Sequence, residues 1–326
     1  MKPPHRRHFL HLAAGATALP ILRRVARAQG YPNRPVRIVV GFPAGGTADI
    51  GARLIGQWLS ERLGQQFIVE NRPGAATALA TEAVVRAPAD GHTLLWAGTS
   101  NAVNAALYDK LNYNFIRDFV MVAGIARTPL ILEVHPSVPV STVPELIAYA
   151  KANPGKLSVA SFGAGTVSHV AIELFKMVAG VDIVHVPYRG SAPMVVDLLG
   201  GQVQASMDNL PTSIEHIKAR RLKPLAVTTA ARSLALPDVP TVSEFLPDFE
   251  ASAWNGVGAP RNTPADIVDK LNKEINAGLA DSKIKTRIAE LGGTTLGGSP
   301  ADFSSHVAAE TEKWAKVIRA ANIKPE

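Results

Sequence analysis

The sequence predicts an α/β fold of two lobes, and three observations support this prediction. Short apolar runs rich in β-branched residues alternate with segments in which apolar residues recur at helical spacing. The order of strand, glycine-rich turn and helix occurs twice, beginning near Val36 and again near Leu157. After residue 28 no apolar run reaches transmembrane length, so the hydrophobic residues, 47% of the chain, are available for a core.

The first 28 residues have the pattern of an export signal. They carry six basic residues and no acidic one, with an apolar stretch over 12–22 that is too short to cross a bilayer. Ala26-Arg27-Ala28 matches a small-x-small cleavage site, and Arg6-Arg7 resembles a twin-arginine signal. The sequence therefore predicts a cleaved, twin-arginine-like signal peptide over 1–28 and a periplasmic protein.

Most of the positive charge belongs to this signal segment. The chain carries a net charge of +7, and the basic residues before residue 29 supply six of these charges. The mature protein is thus nearly neutral, which does not favour binding to nucleic acid. The chain has no cysteine, which excludes disulfides, thiolate metal sites and cysteine nucleophiles.

The first unit begins with a buried strand from Val36 to Val40. A glycine-rich turn over 41–49 follows, and then a helix that ends at Gly64. Further strands are predicted over 67–70 and 93–97, and a helix over 76–87 lies between them. This alternation predicts a mainly parallel sheet covered by helices on both faces.

The second unit repeats the same order. A strand over 157–160 leads into a turn over 161–166 and a helix that stops at Gly180. Further strands are predicted over 183–186, 203–207 and 225–228, and a short helix over 194–199.

Two β-type stretches are predicted to join the units and to act as a hinge. Residues 119–134 cross to the second lobe, and residues 253–260 carry the chain back to the first. Helices near 264–279 and 300–321 would complete the first lobe. The predicted division is 31–128 with 254–326 for lobe 1 and 129–253 for lobe 2.

The two glycine-rich turns predict the binding site. A strand that enters such a turn and a helix leaves unpaired backbone N–H groups, which attract an anion together with the helix dipole. A single turn of this kind often binds nothing, whereas two that face each other can hold both ends of a dianion. The turn at 41–47 lacks the lysine of a P-loop, and 163–165 lacks the third dinucleotide glycine, so no cofactor is expected.

Other polar residues are weighed against a structural role. Arg189 in a third turn either pairs with a carboxylate or is a surface arginine, and Asp208 either lines the cleft or starts a turn. His135, His169 and His185 lack metal-ligand spacing, so no metal site is predicted. The chain has no G-x-S-x-G nucleophile motif, and no catalytic residue is predicted.

Motifs along the whole mature chain share one resemblance. They are Tyr31-Pro32-x-x-Pro35, Phe42-Pro43-x-Gly45-Gly46-x-x-Asp49, the runs 69–75, 89–95, 186–191 and 197–203, Ala253-Trp254-x-Gly256-x-x-Ala259-Pro260, and Trp314. In this combination the chain resembles the Bug solute receptors, which are the extracytoplasmic binding proteins of tripartite tricarboxylate transporters.

The resemblance implies a type II periplasmic-binding-protein fold, with a central cleft between two lobes and hinge strands. It implies a small carboxylate ligand, namely a di- or tricarboxylate, an acidic amino acid or an aromatic acid. The expected partners are membrane permease subunits or a sensor kinase, and the receptor is expected to be a monomer. An enzyme or an interaction protein built on the same two-lobed fold is the alternative.

The resemblance also implies which residues contact the ligand, partly through water. By position they are Phe42, Pro43, Gly45, Gly46, Asp49, Thr99, Ser100, Ser161, Gly163, Gly165, Thr166 and Asp208. Arg189 is added to these ligand-binding residues because its guanidinium could pair with a carboxylate. The family usually continues the Asn71 turn as Gly-Ala-Gly-Gly-Asn, whereas in this chain Gly74 is followed by Ala75-Ala76-Thr77. We therefore expect this wall of the pocket to be tighter and less polar.

Overall fold

The computed structural model describes residues 30–108, 110–247 and 249–324. The predicted signal peptide over 1–28 lies outside the described residues. Within them ten strands form one sheet, and α-helices pack around it. The strands are β1 (Val36–Val40), β2 (Phe67–Asn71), β3 (Thr93–Gly98), β4 (Phe119–Val134), β5 (Ser158–Ser161), β6 (Val184–Pro187), β7 (Ala205–Asn209), β8 (Lys223–Val227), β9 (Ser252–Pro260) and β10 (Thr294–Thr295).

The ten helices include all six that were predicted and four that the sequence did not predict. The helices are α1 (Thr47–Leu63), α2 (Ala78–Val85), α3 (Thr99–Leu107), α4 (Val143–Ala152), α5 (Val167–Ala179), α6 (Ser191–Leu199), α7 (Leu210–Lys218), α8 (Ala265–Ala280), α9 (Ser282–Glu290) and α10 (Pro300–Ala320). The unpredicted ones are α3, α4, α7 and α9. Gly64 and Gly180 end α1 and α5 in the left-handed conformation, which glycine adopts without a steric cost.

The sheet has two parallel parts that are joined by an antiparallel centre. Strands β2, β1 and β3 are parallel to one another, and so are β7, β5 and β6. Between these parts, β9 runs antiparallel to β3 and β4, and β4 runs antiparallel to β7. The prediction of a mainly parallel sheet is therefore wrong at the centre, because two long strands cross there in opposite directions.

The buried side chains form separate cores on the two sides of these crossing strands. One core surrounds Ile38 of β1 and Leu94 of β3, and the other surrounds Val159 of β5. Helix α10 contributes to both sides, through Phe303 near its start and Trp314 near its end. The fold is thus a two-lobed α/β fold. The predicted boundaries at 128/129 and 253/254 fall within β4 and β9.

No helix in the described part of the chain has both the length and the apolar character that are needed to span a bilayer.

Candidate functional site

A cavity of about 80 Å³, called the deep cavity below, lies between the two halves of the sheet and opens to solvent. Its walls come from the starts of helices and the ends of strands on both sides, as expected for an open α/β sheet. The lining residues are Phe42, Pro43, Ala44, Gly46, Thr47, Ala48, Gly98, Thr99, Ser100, Phe162, Val167, Arg189, Gly190, Ser191, Ala192, Pro193, Asn209, Ala253, Trp254 and Asn255.

A second, wider space, the outer groove, adjoins the deep cavity. Its walls are Gly41, Phe42, Pro43, Pro73, Gly74, Ala75, Ala76, Tyr108, Phe162, Gly163, Ala164, Thr166, Pro187, Tyr188, Arg189 and Gly190. The two spaces have walls in common at Phe42 and Phe162, whose rings meet edge to face with centroids 6.4 Å apart. Because Phe42 follows β1 and Phe162 follows β5, this contact joins the two glycine-rich turns.

Five helices begin at these walls without a side-chain cap. They are α1, α3, α5, α6 and α7, whose N-cap residues are Gly46, Gly98, Thr166, Gly190 and Asn209. The first N–H groups of a helix have no partner within it, so these five helix starts present donors to the cleft. One helix start stabilises a nearby anion by about 0.3–1 kcal/mol.

Three of the other five described helices differ in this respect. The side chains of Thr142, Asp281 and Ser299 accept from first-turn N–H groups of α4, α9 and α10. Helices α2 and α8 also lack a side-chain cap. Two side-chain oxygens at the cavity wall also lack partners. Thr47 Oγ1 and Asn209 Oδ1 are buried there with no hydrogen bond to described residues.

The two glycine-rich turns have the same internal hydrogen bond. The Gly45 N–H donates to Asp49 Oδ2 at 2.9 Å, and the Gly165 N–H donates to His169 Nδ1 at 3.1 Å. In each turn the glycine has a positive φ, and the acceptor lies four residues later. Side chains of the following helices therefore accept these two N–H groups.

The charge of Asp49 is stabilised within the first lobe. Its carboxylate is 4% exposed and forms an ion pair with Arg53 at 2.9 Å. Burial raises the pKa of Asp49, but the hydrogen bonds from Arg53 and Gly45 outweigh burial and lower the pKa below its ordinary value. Asp49 is thus a charged residue outside the cavity walls, and it stabilises the turn at 42–46 by accepting the Gly45 N–H.

Arg189 is the one charged side chain on the walls of both spaces, among the described residues. It is exposed and forms no ion pair with another described residue. It lies beside Gly190, the N-cap of α6, so its guanidinium and the helix start can act on the same anion. The described wall residues of the cleft therefore present one full positive charge and no acidic group.

Two buried carboxyl groups lie behind the wall at Ser191. The Ser191 hydroxyl donates to Asp208 Oδ1 at 2.6 Å, and Ser213 Oγ lies 2.6 Å from Glu133 Oε1 and 3.1 Å from Asp208 Oδ2. Burial, and next the charge of Asp208, raise the pKa of Glu133 to about 8. Burial also raises the pKa of Asp208, although four hydrogen bonds oppose it.

His169, Glu173 and His185 lie together behind the second turn. The two rings are stacked, with centroids 4.1 Å apart and planes 5° apart. Ring lone pairs lie in the plane of the ring, so parallel stacked rings do not converge on one ion. Burial lowers the pKa of His185 to about 3, and its Nε2 lies 2.6 Å from Ser161 Oγ. Both histidines are thus hydrogen-bonded to the second turn, His185 to Ser161 and His169 to Gly165.

The structure divides the predicted ligand-binding residues into two groups. Those that line the deep cavity or the outer groove are Phe42, Pro43, Gly46, Thr99, Ser100, Gly163, Thr166 and Arg189. Those outside both walls are Gly45, Asp49, Ser161, Gly165 and Asp208, and each of these has a hydrogen bond that supports a wall.

Sequence reasoning missed several wall residues. Ser191, Asn209 and Asn255 line the deep cavity but were not among the expected ligand-binding residues. Ala75 and Ala76, in the segment after Gly74 that was expected to form a wall, line the outer groove. Ser191 directly follows the Arg189-Gly190 turn, and Asn209 directly follows Asp208. Both residues are therefore adjacent to positions that the sequence had already indicated as candidates. Asn255 lies on the returning strand, and only the three-dimensional crossing brings it to the cavity.

Comparison with known proteins places the chain in a family. The family model described as Tripartite tricarboxylate transporter family receptor matches residues 51–323. The chain is 36% identical over 313 residues to Protein BugT of Bordetella pertussis, which covers 95% of this chain and 94% of BugT. It is 40% identical over 297 residues to the UPF0065 protein in the tcbD-tcbE intergenic region of Pseudomonas sp. (strain P51), with 90% and 88% covered.

Solved structures agree with this placement. R. palustris Rpa4515 with adipate has a TM-score of 0.87 and 42% identity, over 91% of this chain and 100% of that one. MatC (Rpa3494) from Rhodopseudomonas palustris with bound malate has a TM-score of 0.83 and 33% identity, over 88% and 100%. The predicted likeness to Bug receptors is confirmed. The chain belongs to the tripartite tricarboxylate transporter receptor family, and it is a two-lobed solute-binding receptor rather than an enzyme.

Proposed function

We propose that this receptor captures a small carboxylate in the deep cavity and acts in the periplasm. The bound ligand is passed to the membrane permease subunits of a tripartite tricarboxylate-type transporter, or it is reported to a sensor kinase. The ligand class comprises di- and tricarboxylates, acidic amino acids and aromatic acids. The receptor acts as a monomer.

One observation carries this proposal: Arg189 and five uncapped helix starts face the same cavity, and no acidic side chain lies on its wall. A carboxylate has oxygens that accept several hydrogen bonds at once, and a guanidinium can donate two of them. Backbone donors bind without the entropy loss of ordering long side chains. Such a wall favours an anion over a cation or a neutral sugar.

The related solved structures support the same ligand class. One contains adipate and another contains bound malate, and both molecules are dicarboxylates. Their chains are 42% and 33% identical to this one over most of its length. We propose that the ligand of this chain also has a carboxylate group, which lies between Arg189 and the start of α6.

The test is titration calorimetry of the purified protein with a carboxylate panel that includes adipate, malate and hexanoate. Arg189→Met should weaken the binding of any carboxylate that binds by about 10- to 150-fold, because a hydrogen bond to a charged group contributes about 1.5–3 kcal/mol. Arg221→Met is the matched control, since Arg221 is also exposed and lies outside both walls. Failure of every carboxylate to bind, or equal losses in both variants, would contradict the proposal.

Export and oligomeric state are tested on the same protein expressed in cells. We expect the chain in the periplasmic fraction, shortened by about the length of the segment 1–28, and a single monomer mass in solution. An uncleaved chain in the cytoplasmic fraction would contradict the proposed location, and a stable dimer would contradict the monomer.

A further inference from the structure

The side-chain amide of Asn255 has one fixed orientation. Trp96 Nε1 donates to Asn255 Oδ1 over a distance of 3.1 Å. An indole N–H can donate but cannot accept, so the amide atom that faces it must be the oxygen. The amide nitrogen, Nδ2, therefore points away from Trp96, and both of its protons are directed elsewhere.

Close packing holds both partners of this hydrogen bond. Trp96 is 4% exposed, and its ring lies against Gly51 of α1, where a Cβ would come within 2.9 Å of the ring. Next to the amide, a Cβ at Gly98 would lie 3.3 Å from Asn255 Oδ1. Gly98 is the partner of Asn255 in the pairing of β3 with β9. The two glycines thus leave the space that the ring and the amide occupy.

The amide nitrogen is an unused donor. Asn255 is the one residue of β9 that is not buried, and it lines the deep cavity. Among the described residues none accepts a hydrogen bond from its Nδ2. Asn255 also borders a smaller cavity of about 40 Å³, whose described walls are mainly apolar and include no charged side chain. An acceptor for Nδ2 must therefore come from water or from a ligand.

We infer that Asn255 is a specificity-determining residue, whose Nδ2 donates to an acceptor group of the ligand other than the carboxylate at Arg189. This inference rests on the proposed function, which supplies that first carboxylate. The second group is then a carboxylate or another oxygen acceptor and not an ammonium group, because the fixed amide presents two donors to the cavity. Trp96 is a positioning residue, since its N–H keeps Oδ1 turned away from the ligand.

Three acids with a six-carbon chain test this inference, because they differ in the far-end group. Adipate has a carboxylate there, hexanoate has a methyl group, and 6-aminohexanoate has an ammonium group. Succinate, butanoate and 4-aminobutanoate form the same set on four carbons. Calorimetry gives each Kd, and the shared carboxylate cancels in Kd ratios within a set. In at least one set the diacid should bind about 10- to 150-fold more tightly than the amino acid.

Asn255→Asp is the decisive variant, because it removes both donors and retains an oxygen that accepts from Trp96. The introduced carboxylate repels the diacid and attracts the ammonium group. We expect the preference for the diacid over the amino acid to fall at least about tenfold. Asn322→Asp is the matched control, since Asn322 is exposed and outside the cavity walls, and it should leave this preference unchanged. An unchanged preference in Asn255→Asp would overturn the inference.

Thermal unfolding separates the loss of binding from a loss of folding. Asn255→Asp should keep the Tm of the unchanged protein within a few degrees, because the Trp96 N–H retains its acceptor. Asn255→Leu leaves that N–H buried without a partner and should lower the Tm. A lower Tm in Asn255→Asp equal to that in Asn255→Leu would show that the hydrogen bond from Trp96 was lost.

Trp96→Phe supplies a second test that leaves Asn255 in place. Without the indole N–H the amide can turn either atom toward the cavity. The preference for the diacid over the amino acid should therefore fall by about 2- to 12-fold, the contribution of one hydrogen bond. An unchanged preference in Trp96→Phe would overturn the positioning role of Trp96.

The outcomes separate this inference from the proposed function. Equal affinity for the three acids of each set would overturn the role of Asn255 while the carboxylate receptor stands. Absence of binding for every carboxylate in both sets and in the panel would overturn the proposed function, and the inference with it.

Discussion

The Ser191 hydroxyl donates to the Asp208 carboxylate across the wall of the deep cavity, over a distance of 2.6 Å. A hydroxyl has one proton, so Ser191 turns only its lone pairs toward the cavity. Asp208 was predicted as a residue that lines the cleft, but it is fully buried and reaches the cavity through Ser191. Because Asp208 takes the only hydroxyl proton of Ser191, this hydroxyl can only accept a hydrogen bond from a ligand.

This orientation predicts a preference for a ligand hydroxyl. Ser191→Ala should weaken the binding of 2-hydroxyadipate more than that of adipate, by about 2- to 12-fold, because one net hydrogen bond contributes about 0.5–1.5 kcal/mol. Calorimetry with both acids measures this difference. Thr47→Val is the control, since Thr47 Oγ1 is unpartnered at the same wall and should affect both acids alike. Equal losses for both acids in Ser191→Ala would contradict the prediction.

The buried Glu133 predicts how stability changes with pH. Its pKa is raised from 4.5 to about 8, so the folded state retains a proton that the unfolded chain releases. Stability from this group is complete below pH 4.5 and is lost as the pH rises toward 8, by about 1.4 kcal/mol per pH unit. Glu133→Gln, which imitates the protonated acid, should remove this loss.

Urea unfolding at pH 5, 7 and 9 measures the effect of Glu133→Gln. The free energy of unfolding should fall less steeply with pH in the variant than in the unchanged protein. The exposed Glu61 provides the control, because Glu61→Gln should leave the slope unchanged. A variant that loses stability with pH as steeply as the parent would show that Glu133 is ionised in the folded protein at neutral pH.

Gly165 predicts a mutation that acts between the two lobes. A Cβ at this position would lie 3.2 Å from Ala76 Cβ and from Asn104 Oδ1, which belong to the predicted first lobe. Gly165→Ala should therefore push the second turn away from the first and weaken ligand binding about tenfold, for a closure cost near 1.4 kcal/mol. Calorimetry measures affinity, and small-angle scattering with saturating ligand measures the radius of gyration, which should be larger than in the parent.

Gly155→Ala is the matched control for this variant. Gly155 has a φ of 67° against 71° for Gly165, but its Cβ would meet nothing closer than Asp182 Oδ2 at 3.5 Å. Both alanines should reduce stability by about 1–2 kcal/mol through the left-handed conformation. Affinity losses of equal size in the two variants would show that backbone strain, and not contact across the cleft, weakens binding.

Much of the fold could be predicted from the sequence because each strand–turn–helix unit is formed by residues that lie close together in the chain. The buried strand β1, its glycine turn and the amphipathic α1 lie within 30 residues, and each has a periodic pattern. The antiparallel centre could not be predicted in this way. The pairing of β4 with β9 joins residues more than 100 positions apart. No sequence pattern in either strand indicates whether the two strands run parallel or antiparallel. Helix α3 was missed because its buried face includes Asn101 and Asn104.

The site was predictable in its location and less so in its chemistry. Glycine turns after β1 and β5 identified the cleft, because strands of one sheet present their ends together. Which N–H groups are free was not predictable, since it depends on side chains such as Asp49 and His169. In retrospect the spacing of four residues from Gly45 to Asp49 and from Gly165 to His169 was a usable signal. The role of Ser191 depends on a contact with another element.

The uncapped helix starts have a consequence for how the receptor responds to its surroundings. Dissolved salt screens full charges over a Debye length of about 8–10 Å, but it has little effect on dipoles that touch their ligand inside a cavity. A site with one arginine and five neutral helix starts should therefore keep most of its affinity when ionic strength rises. A cluster of lysines would lose affinity under the same conditions. We therefore expect the affinity of this receptor to tolerate changes in salinity, because its cleft has one charged side chain among the described wall residues.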